Sequence, residues 1–328
     1  MQLEGLPAVS VPLPWQAEDW QRLEQQVSEG RFPHALLLAG MPAIGKERLA
    51  LALARLLLCH RPSAGHNCGE CQACELSRSG AHGDFLWLQP QEKSRVIKID
   101  QVREAVNFAH WTAGFGERKV LVIAPADAMN TNAANALLKS LEEPADNTHI
   151  LLVCSRLHGV PATIRSRCQL LKLAPPDTGA SLGWLDNLTG ERATSQSLLD
   201  LANGRPLLAE QMYRESSADT LLAQRAALGA VIRGEARAVE TAAALSDLDA
   251  GEFLVLVTDF IEQHLRDLDG SQLAASGPGA FVLLDDLRGT QRAMAGGSNP
   301  NPQLLKESVL EQLSRQLGAP AAGAKMLA

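Results

Sequence analysis

Aromatic residues are scarce in this sequence. Tyrosine occurs once in 328 residues, and Phe, Trp and Tyr together make up 4% of them. Aromatic and β-branched side chains favour strands, whereas alanine and leucine, which abound here, favour helices. The composition therefore argues against an all-β protein. The chain is long enough, with 46% apolar residues, to form two or three domains with sizeable cores.

Membrane-directing segments are also lacking. No apolar run approaches the roughly 20 residues that a membrane-spanning helix needs. The first 15 residues, MQLEGLPAVSVPLPW, contain no basic region followed by an apolar stretch, as a signal peptide would. We therefore expect a cytoplasmic protein.

Basic residues are fewer than acidic ones, and the net charge is −7. Such a chain cannot coat DNA through charge alone, although a local contact, or a contact within a larger assembly, stays open. Six cysteines in a cytoplasmic chain indicate metal ligands or free thiols rather than disulfides.

Strand-like and helix-like segments alternate in the first half of the chain. Apolar runs at 34–39, 120–124 and 150–153 predict buried parallel strands. A largely buried helix is expected after Lys46. A second helix is expected in TNAANALLKSLEEP, capped by Asn130 or Thr131 and ending before Pro144. The alternation predicts a doubly wound α/β domain up to about residue 173. A linker at 173–179, a short helical segment to about 214 and further helices from about 215 follow.

The stretch GMPAIGKE, residues 40–47, resembles a phosphate-binding loop. Gly40, Gly45 and Lys46 fit the pattern G-x-x-x-x-G-K, and the predicted strand and helix on either side supply its context. The pattern continues with a Ser or Thr that ligates Mg²⁺, but this chain has Glu47. A carboxylate in the first turn of a helix is favourable without any nucleotide. We interpret the loop as a retained fold without productive hydrolysis.

The end of the strand at 120–124 lacks the acidic residues of a hydrolytic site. One carboxylate would hold Mg²⁺ and the next would polarise the attacking water. Ala124 and Pro125 stand in those places, and neither can do so. Asp127 lies farther along and is interpreted as a turn or cap residue. The loss of the hydroxyl and of both carboxylates argues against hydrolysis by this chain alone.

A cysteine cluster is the strongest chemical signal. Cys68, Cys71 and Cys74 form C-x-x-C-x-x-C, and Cys59 precedes them at the predicted end of the first helix. Four thiolates at this spacing can close tetrahedrally on Zn²⁺ and leave no open position, so the site would be structural. The alternatives are reduced thiols, or substitution of a ligand by a histidine. The candidate histidines are His60 and His66, and Cys154 and Cys168 are expected to be buried thiols.

Two arginines lie in TIRSRCQ, residues 163–169, after the last predicted strand. Arg165 and Arg167 are interpreted on pattern alone as surface charges, although an arginine can also act on a phosphate bound by a neighbouring subunit. Glu142 and Glu143 end the helix before Pro144, where their charges oppose the helix dipole. Solvated surface charge is the favoured interpretation of this pair, with an interface as the alternative.

These motifs together resemble the bacterial clamp-loader family of AAA+ proteins. The resemblance rests on HALLLAG, the C-x8-C-x2-C-x2-C cluster, NALLKSLEEP at 135–144 and SRC at 166–168. The matching motifs are concentrated in residues 30–175. The resemblance is weaker towards the C-terminus, where NPNPQLLKE is similar to the helices of the family's C-terminal collar domain. The degenerate loop resembles, in particular, the family subunit that does not hydrolyse ATP.

The resemblance implies a RecA-like AAA+ parallel-sheet domain at 1–173 with a zinc module at 59–74, a helical lid domain at 174–214 and an all-α collar oligomerisation domain at 215–328. It also implies a hetero-pentameric ring with ATPase subunits of the gamma/tau type and a delta subunit. That ring places the sliding clamp on primed DNA during replication, as part of a polymerase holoenzyme. Any polymerase activity would belong to the whole complex.

The resemblance further implies a role for each candidate residue. Arg167 would act in trans on the ATP of an adjacent subunit, and the degenerate loop would bind nucleotide weakly or not at all. The structural zinc would be bound by Cys59, Cys68, Cys71 and Cys74. Active family members carry a lid arginine in a G-x-x-R pattern. Here Leu207 follows Gly204 at that place, and whether Arg205 substitutes for the arginine stays open.

Other functions fit the sequence less well. An active ATPase of the gamma/tau type would hydrolyse ATP without partners. A P-loop nucleotide kinase needs the loop hydroxyl and an acceptor pocket rich in arginine and carboxylate, and neither is found. A zinc-dependent DNA-binding protein would surround its cysteines with basic and aromatic residues, but CGECQACELSRSG is nearly neutral.

Overall fold

A computed structural model describes residues 6–91, 94, 96–295 and 297–318 of the chain. The chain divides into two compact units, and the boundary lies between Glu210 and Gln211. Among the described residues no helix is both long enough and apolar enough to cross a membrane.

A five-stranded parallel sheet forms the centre of the first unit, with the strands in the order β2-β3-β4-β1-β5. The strands predicted at 34–39, 120–124 and 150–153 are confirmed as β1, β3 and β4. Every residue of β1 and β3 is buried, as expected for strands covered on both faces. The strand bounds are β1 Ala35–Ala39, β2 Phe85–Leu88, β3 Lys119–Ile123, β4 Thr148–Cys154 and β5 Gln169–Lys172.

Helices cover both faces of this sheet. One apolar cluster joins α4 and α5 to one face, and a second joins α1 and α2 to the other. Asn130 caps α5 by accepting a hydrogen bond of 2.8 Å from the Ala133 N–H, which confirms the predicted cap. The helices are α1 Ala17–Ser28, α2 Lys46–Leu58, α3 Gln72–Arg78, α4 Ile99–His110, α5 Thr131–Glu142 and α6 Ala162–Arg165.

Only helices follow β5 among the described residues. The first of them, α7, begins after Asp177, whose carboxylate accepts from the Ala180 N–H at 2.8 Å. The predicted fold class is confirmed: an α/β domain with a parallel sheet, followed by helices. The helices are α7 Thr178–Thr189, α8 Arg192–Leu201, α9 Pro206–Glu215, α10 Ala218–Ile232, α11 Ala238–Ala244, α12 Ala250–Asp267, α13 Gly270–Ala295 and α14 Pro302–Leu317.

The second unit has its own apolar core between α10, α11, α12, α13 and α14. Lys306 of α14 is 2% exposed, and its ammonium donates to the carbonyl oxygens of Leu245, Ser246 and Leu248 at 2.7, 3.1 and 2.7 Å. These carbonyls lie in the turn that follows α11, so a buried cation ties α14 to the end of that helix. The finer division of the helical part into lid and collar domains stays a prediction.

Candidate functional site

The four cysteines of the predicted metal site lie together in the first unit. The sulfur atoms of Cys59, Cys68, Cys71 and Cys74 all lie within 4.8 Å of one another. The sulfur of Cys59 is 3.9 Å from that of Cys71 and 3.7 Å from that of Cys74, and Cys68 is 3.9 Å from Cys74. Four thiolates at about 2.3 Å from one Zn²⁺ would be separated by about 3.8 Å in a tetrahedron. The arrangement therefore fits a tetrahedral metal ion.

Local chain geometry brings these sulfurs together. Cys59 follows the last residue of α2 and Cys71 precedes the first residue of α3. Between them Gly65 and Gly69 have φ of 75° and 79°, a region that suits glycine and lets the chain turn sharply. The Cys68 N–H donates to the sulfur of Cys59 at 3.2 Å, and the Cys71 N–H donates to the sulfur of Cys68 at 3.3 Å. Both N–H groups stabilise the deprotonated, thiolate form of the cysteine to which they donate.

The electrostatics of the cluster also suit a metal. Burial raises the pKa of the Cys59 thiol well above its ordinary value. Burial acts in the same direction on Cys68, but the N–H groups of Glu70 and Cys71 donate to its sulfur and bring its pKa below that of a free thiol. A metal would replace the remaining thiol protons.

Neither candidate histidine takes part in the cluster. Among the described residues the group of metal-ligating side chains contains only cysteines. The ring of His66 stacks on Trp20, with 5.4 Å between the ring centroids, and its Nδ1 lies 2.7 Å from the Ala64 carbonyl oxygen. His60 lies near Gly116. A four-cysteine ligand set is thus the arrangement that the structure favours.

The glycine loop connects β1 to α2, the place that a phosphate loop takes. Ala43 and Gly45 have φ of 57° and 90°, and α2 begins at Lys46 directly after the loop. The ammonium of Lys46 is turned back into the loop, where it donates to the Met41 carbonyl oxygen at 2.7 Å. Lys46 is fully buried, and burial lowers its pKa. The lysine that would reach a phosphate is therefore bonded to its own loop.

Protein groups from two other segments cover the glycine loop. Trp15 Nε1 donates to the Ile44 carbonyl at 2.9 Å, and the Gln16 amide donates to the carbonyls of Ile44 and Gly45 at 3.2 and 3.0 Å. From α9, the Leu207 N–H donates to the Ala43 carbonyl at 3.2 Å. These contacts hold the carbonyl groups of the loop in place.

The end of β3 offers no group for hydrolysis at the two expected places. Ala124 and Pro125 follow the strand, and Ala124 is 5% exposed. Asp127 lies in the next turn. Its carboxylate accepts from the Ser155 N–H at 3.3 Å and from Arg156 Nε at 3.0 Å. This carboxylate joins the ends of β3 and β4, in agreement with the structural interpretation of Asp127.

Arg167 lies between α6 and β5, and its side chain is 34% exposed. One guanidinium nitrogen donates to the Thr163 carbonyl at 2.8 Å and to the Ser166 hydroxyl at 3.4 Å. The other forms an ion pair with Glu142 at the end of α5. Arg165, two residues earlier, is exposed at the end of α6.

Arg205 and Leu207 differ in their surroundings. Arg205 is 6% exposed, and its Nε donates to the Ala202 carbonyl at 2.8 Å. Leu207, the position where the resemblance led us to expect an arginine in an active member, contacts the glycine loop through its backbone. The side chain at that place therefore carries no charge.

Several residues that contact the glycine loop or the cysteine cluster could not be identified from the sequence. Trp15 and Gln16 act on a loop that is remote in sequence, and no motif marks them. Asn67 and Arg55 contact the cysteine module from outside its ligand set. The one available signal was the adverse position of Glu142 at a helix C-terminus. Glu142 is exposed, as expected for a surface charge, but its ion pair with Arg167 was not predicted.

Comparisons with known proteins agree with this architecture. The family model described as DNA polymerase III, delta subunit, matches residues 15–177. The DNA polymerase III subunit delta-prime of Pseudomonas aeruginosa is 45% identical over 202 residues, which are 61% of this chain and 61% of that protein. The subunit of the same name from Escherichia coli is 35% identical over 202 residues, 61% of this chain and 60% of that protein. The chain thus matches about three-fifths of the length of these relatives.

A solved structure extends the likeness to the fold of most of the chain. The crystal structure of a DNA polymerase III gamma-subunit-related protein from Thermotoga maritima aligns with a TM-score of 0.50 at 18% identity. The alignment covers 90% of this chain and 99% of that one. At this identity the likeness concerns the fold alone.

Proposed function

Because the chain belongs to the family of DNA polymerase III delta-prime subunits, we propose that it is a non-hydrolysing subunit of a clamp loader. In this role it supplies Arg167 to the ATP of a neighbouring subunit. Its own nucleotide site is a structural remnant. The observation that carries the proposal is an asymmetry: the groups for hydrolysis on this chain are missing or covered, while Arg167 is partly exposed.

The contacts around the glycine loop support the absence of hydrolysis. No hydroxyl follows Lys46, and Lys46 itself is bonded to the Met41 carbonyl. Ala124 and Pro125 can neither bind Mg²⁺ nor accept a proton, and the carboxylate of Asp127 is engaged by Ser155 and Arg156. ATP would find, at these positions, none of the usual groups that bind the metal or activate water.

The chemistry of Arg167 supports a role in trans. A guanidinium is always charged and can donate two parallel hydrogen bonds to a phosphate. Contacts with Thr163 and Glu142 leave part of the side chain exposed and restrict its orientation. A preorganised arginine that meets charge developing in a transition state is worth about 10³–10⁵ in rate where it acts alone.

The four cysteines are proposed to hold a structural Zn²⁺. The separations of their sulfurs fit tetrahedral coordination, and all four positions would be filled by protein. No position would remain for water or substrate. When bound, the ion would join the end of α2 to the start of α3, and would take no part in hydrolysis.

The assembly is also a proposal. By its family the chain would join gamma/tau ATPase subunits and a delta subunit in a hetero-pentameric ring that loads the sliding clamp onto primed DNA. The first unit would contain the AAA+ domain at 1–173 and most of the lid at 174–214. The helices from residue 215 onward would form the collar. A cytoplasmic location follows from this role.

The test is ATP hydrolysis by a loader reconstituted with the Arg167→Ala variant. We expect a large loss of the hydrolysis that DNA and clamp stimulate, while Arg165→Ala, an exposed neighbour, keeps most of it. Unchanged stimulated hydrolysis in the Arg167→Ala loader would contradict the proposal. Hydrolysis of Mg²⁺-ATP by the purified chain alone would instead favour an active ATPase of the gamma/tau type.

A further inference from the structure

Asn67 directly precedes the metal ligand Cys68 and is 1% exposed. Its amide nitrogen donates to the sulfur of Cys74 at 3.3 Å and to the carbonyl of Ala8 at 2.9 Å. Its amide oxygen accepts from the Ser10 N–H at 2.8 Å. One buried side chain therefore joins a ligand sulfur to the backbone of residues 8–10.

Arg55 reaches the same segment from α2 and is also 1% exposed. Its guanidinium donates to the carbonyls of Pro7 and Ala8 at 2.6 and 3.0 Å and to the Ser10 hydroxyl at 2.7 Å. Its Nε donates to the Ser77 hydroxyl at 3.1 Å, and Ser77 donates to the Cys74 carbonyl at 3.0 Å. This buried cation thus lies between the segment and the metal module.

The charge of Arg55 needs a counter-charge. Its acceptors are neutral carbonyls and hydroxyls, and among the described residues no carboxylate pairs with it. A buried charge without compensation is costly. Four thiolates around Zn²⁺ carry a net charge of about −2, which is the sum of four thiolates and one divalent ion. A metal-loaded module would therefore supply the negative charge beside Arg55.

The segment that these residues hold, residues 7–16, is called the N-terminal strap. Near its start it lies against the metal module, where a Cβ on Gly69 would be 3.1 Å from the Ala8 carbonyl oxygen. Its end lies on the glycine loop through Trp15 and Gln16. A Cβ on Gly45 would be 2.2 Å from the Leu13 side chain, so this contact is close. The strap therefore runs from the cysteines to the loop.

We propose that Asn67 and Arg55 are positioning residues of the metal site, through which the bound metal fixes the N-terminal strap and keeps the glycine loop covered. The inference rests on the zinc site proposed above and not on the role of Arg167. The metal fixes the position of the Cys74 sulfur, which accepts from Asn67 at 3.3 Å, and its four-cysteine site compensates the charge of Arg55. Loss of the metal weakens both attachments and frees the strap.

Hydrogen exchange on the full-length chain, followed by mass spectrometry, tests the coupling. Zinc is removed with a chelator and its loss is checked by metal analysis. We expect exchange to accelerate roughly tenfold or more in peptides covering residues 7–16 and 40–46, as for the loss of one or two hydrogen bonds. Peptides from β3 and α14 should exchange as before. No change in the strap, or an equal rise throughout the chain, would overturn the proposal.

Variants separate the positioning residues from the ligands. Asn67→Asp keeps an acceptor for the Ser10 N–H but replaces the donor to Cys74 with a negative charge. With zinc present, we expect faster zinc release to a chromogenic chelator and faster exchange of residues 7–16. The matched control is Asn187→Asp, an exposed position on α7. Arg55→Met, which removes the cation, should act in the same direction.

The outcomes distinguish this inference from the zinc assignment. If Asn67→Asp and Arg55→Met release zinc at the wild-type rate and leave exchange of the strap unchanged, the inference is wrong while the zinc site stands. If the wild-type chain binds no zinc, the assignment of the metal fails first. A variant that does not fold leaves the chelation experiment on the wild-type chain as the deciding measurement.

Discussion

The guanidinium of Arg167 forms an ion pair with the carboxylate of Glu142, which ends helix α5. A carboxylate at a helix C-terminus is unfavourable on its own, because it meets the negative end of the helix dipole. The arginine compensates that charge and is oriented by it. An exposed ion pair contributes little to stability, about 0–1 kcal/mol, so its effect should concern the orientation of Arg167.

Glu142→Gln should lower the stimulated ATPase of a reconstituted loader by roughly threefold to tenfold, less than Arg167→Ala. The glutamine retains an acceptor but no charge, so Arg167 would be held less firmly. Thermal stability should hardly change. Hydrolysis rates with saturating DNA and clamp provide the measurement.

Two controls make the Glu142 prediction specific. Glu143→Gln removes a neighbouring exposed carboxylate and should have no effect on hydrolysis. The double variant Glu142→Gln/Arg167→Ala should hydrolyse ATP no more slowly than Arg167→Ala alone, because Glu142 would act only through the arginine. An additive loss in the double variant would show that Glu142 has another role.

Metal analysis of the purified chain should find about one zinc ion per chain. Cys71→Ser removes one of four ligands, and the first unit should then unfold at a temperature lower by about 5–10 °C, or roughly 3 kcal/mol for a unit of this size. Cys168→Ala is the control, since this half-buried thiol lies outside the cluster. Full zinc content in Cys71→Ser would argue against the four-cysteine site.

Local sequence signals predicted the sheet and the cysteine cluster well, for a physical reason. β1 and β3 are continuous apolar runs because both their faces are buried, and the cap at Asn130 depends on residues within one helical turn. The cysteines are close in sequence, so their spacing limits their geometry. In these cases the interacting residues are neighbours in the chain.

The contacts that the sequence did not predict join distant residues. Gln16 meets Gly45, Asn67 meets Ala8 and Glu142 meets Arg167 only after the sheet has formed. Each is an ordinary polar residue in a segment with no pattern of its own. Their partners depend on strand order and packing, which a single sequence does not specify.

Lys46→Met should change clamp loading little. The lysine is buried and bonded to the Met41 carbonyl, and methionine fills similar space without the charge. Binding of Mg²⁺-ATP to the purified wild-type chain, measured by calorimetry, should show no saturation up to millimolar nucleotide. A large loss of loading in the variant, or tight nucleotide binding by the wild type, would refute the assignment of the loop as a remnant.

Asp84 organises the loop between α4 and β3 through buried contacts. Its carboxylate accepts from the N–H groups of Gly114 and Phe115 at 2.8 and 2.7 Å and pairs with Lys119 at 3.2 Å. Burial alone would raise the pKa of Asp84, but these donors hold it below its ordinary value. Asp84→Asn should therefore destabilise the first unit at pH 7 by about 2–4 kcal/mol.

The pH dependence of that loss has a definite sign. A carboxyl group whose pKa is lowered by folding stabilises the protein above its unfolded pKa of about 3.9, and that contribution is lost as the pH falls through the folded value. The difference between wild type and Asp84→Asn should shrink below about pH 4. Urea unfolding followed by tryptophan fluorescence measures it. Asp100→Asn, an exposed control, should show no comparable difference at either pH.

Lys306→Met should destabilise the second unit by about 2–5 kcal/mol. The ammonium of Lys306 donates to three carbonyls in the turn after α11, and methionine removes this donor from all three. All five tryptophans lie before residue 211, so tryptophan fluorescence reports on the first unit while circular dichroism reports on both. The urea transition followed by circular dichroism should therefore shift more than the one followed by fluorescence. Arg315→Met, which removes an exposed cation from the same helix, should shift neither, and equal shifts in the two variants would mean that the buried contacts of Lys306 add nothing to stability.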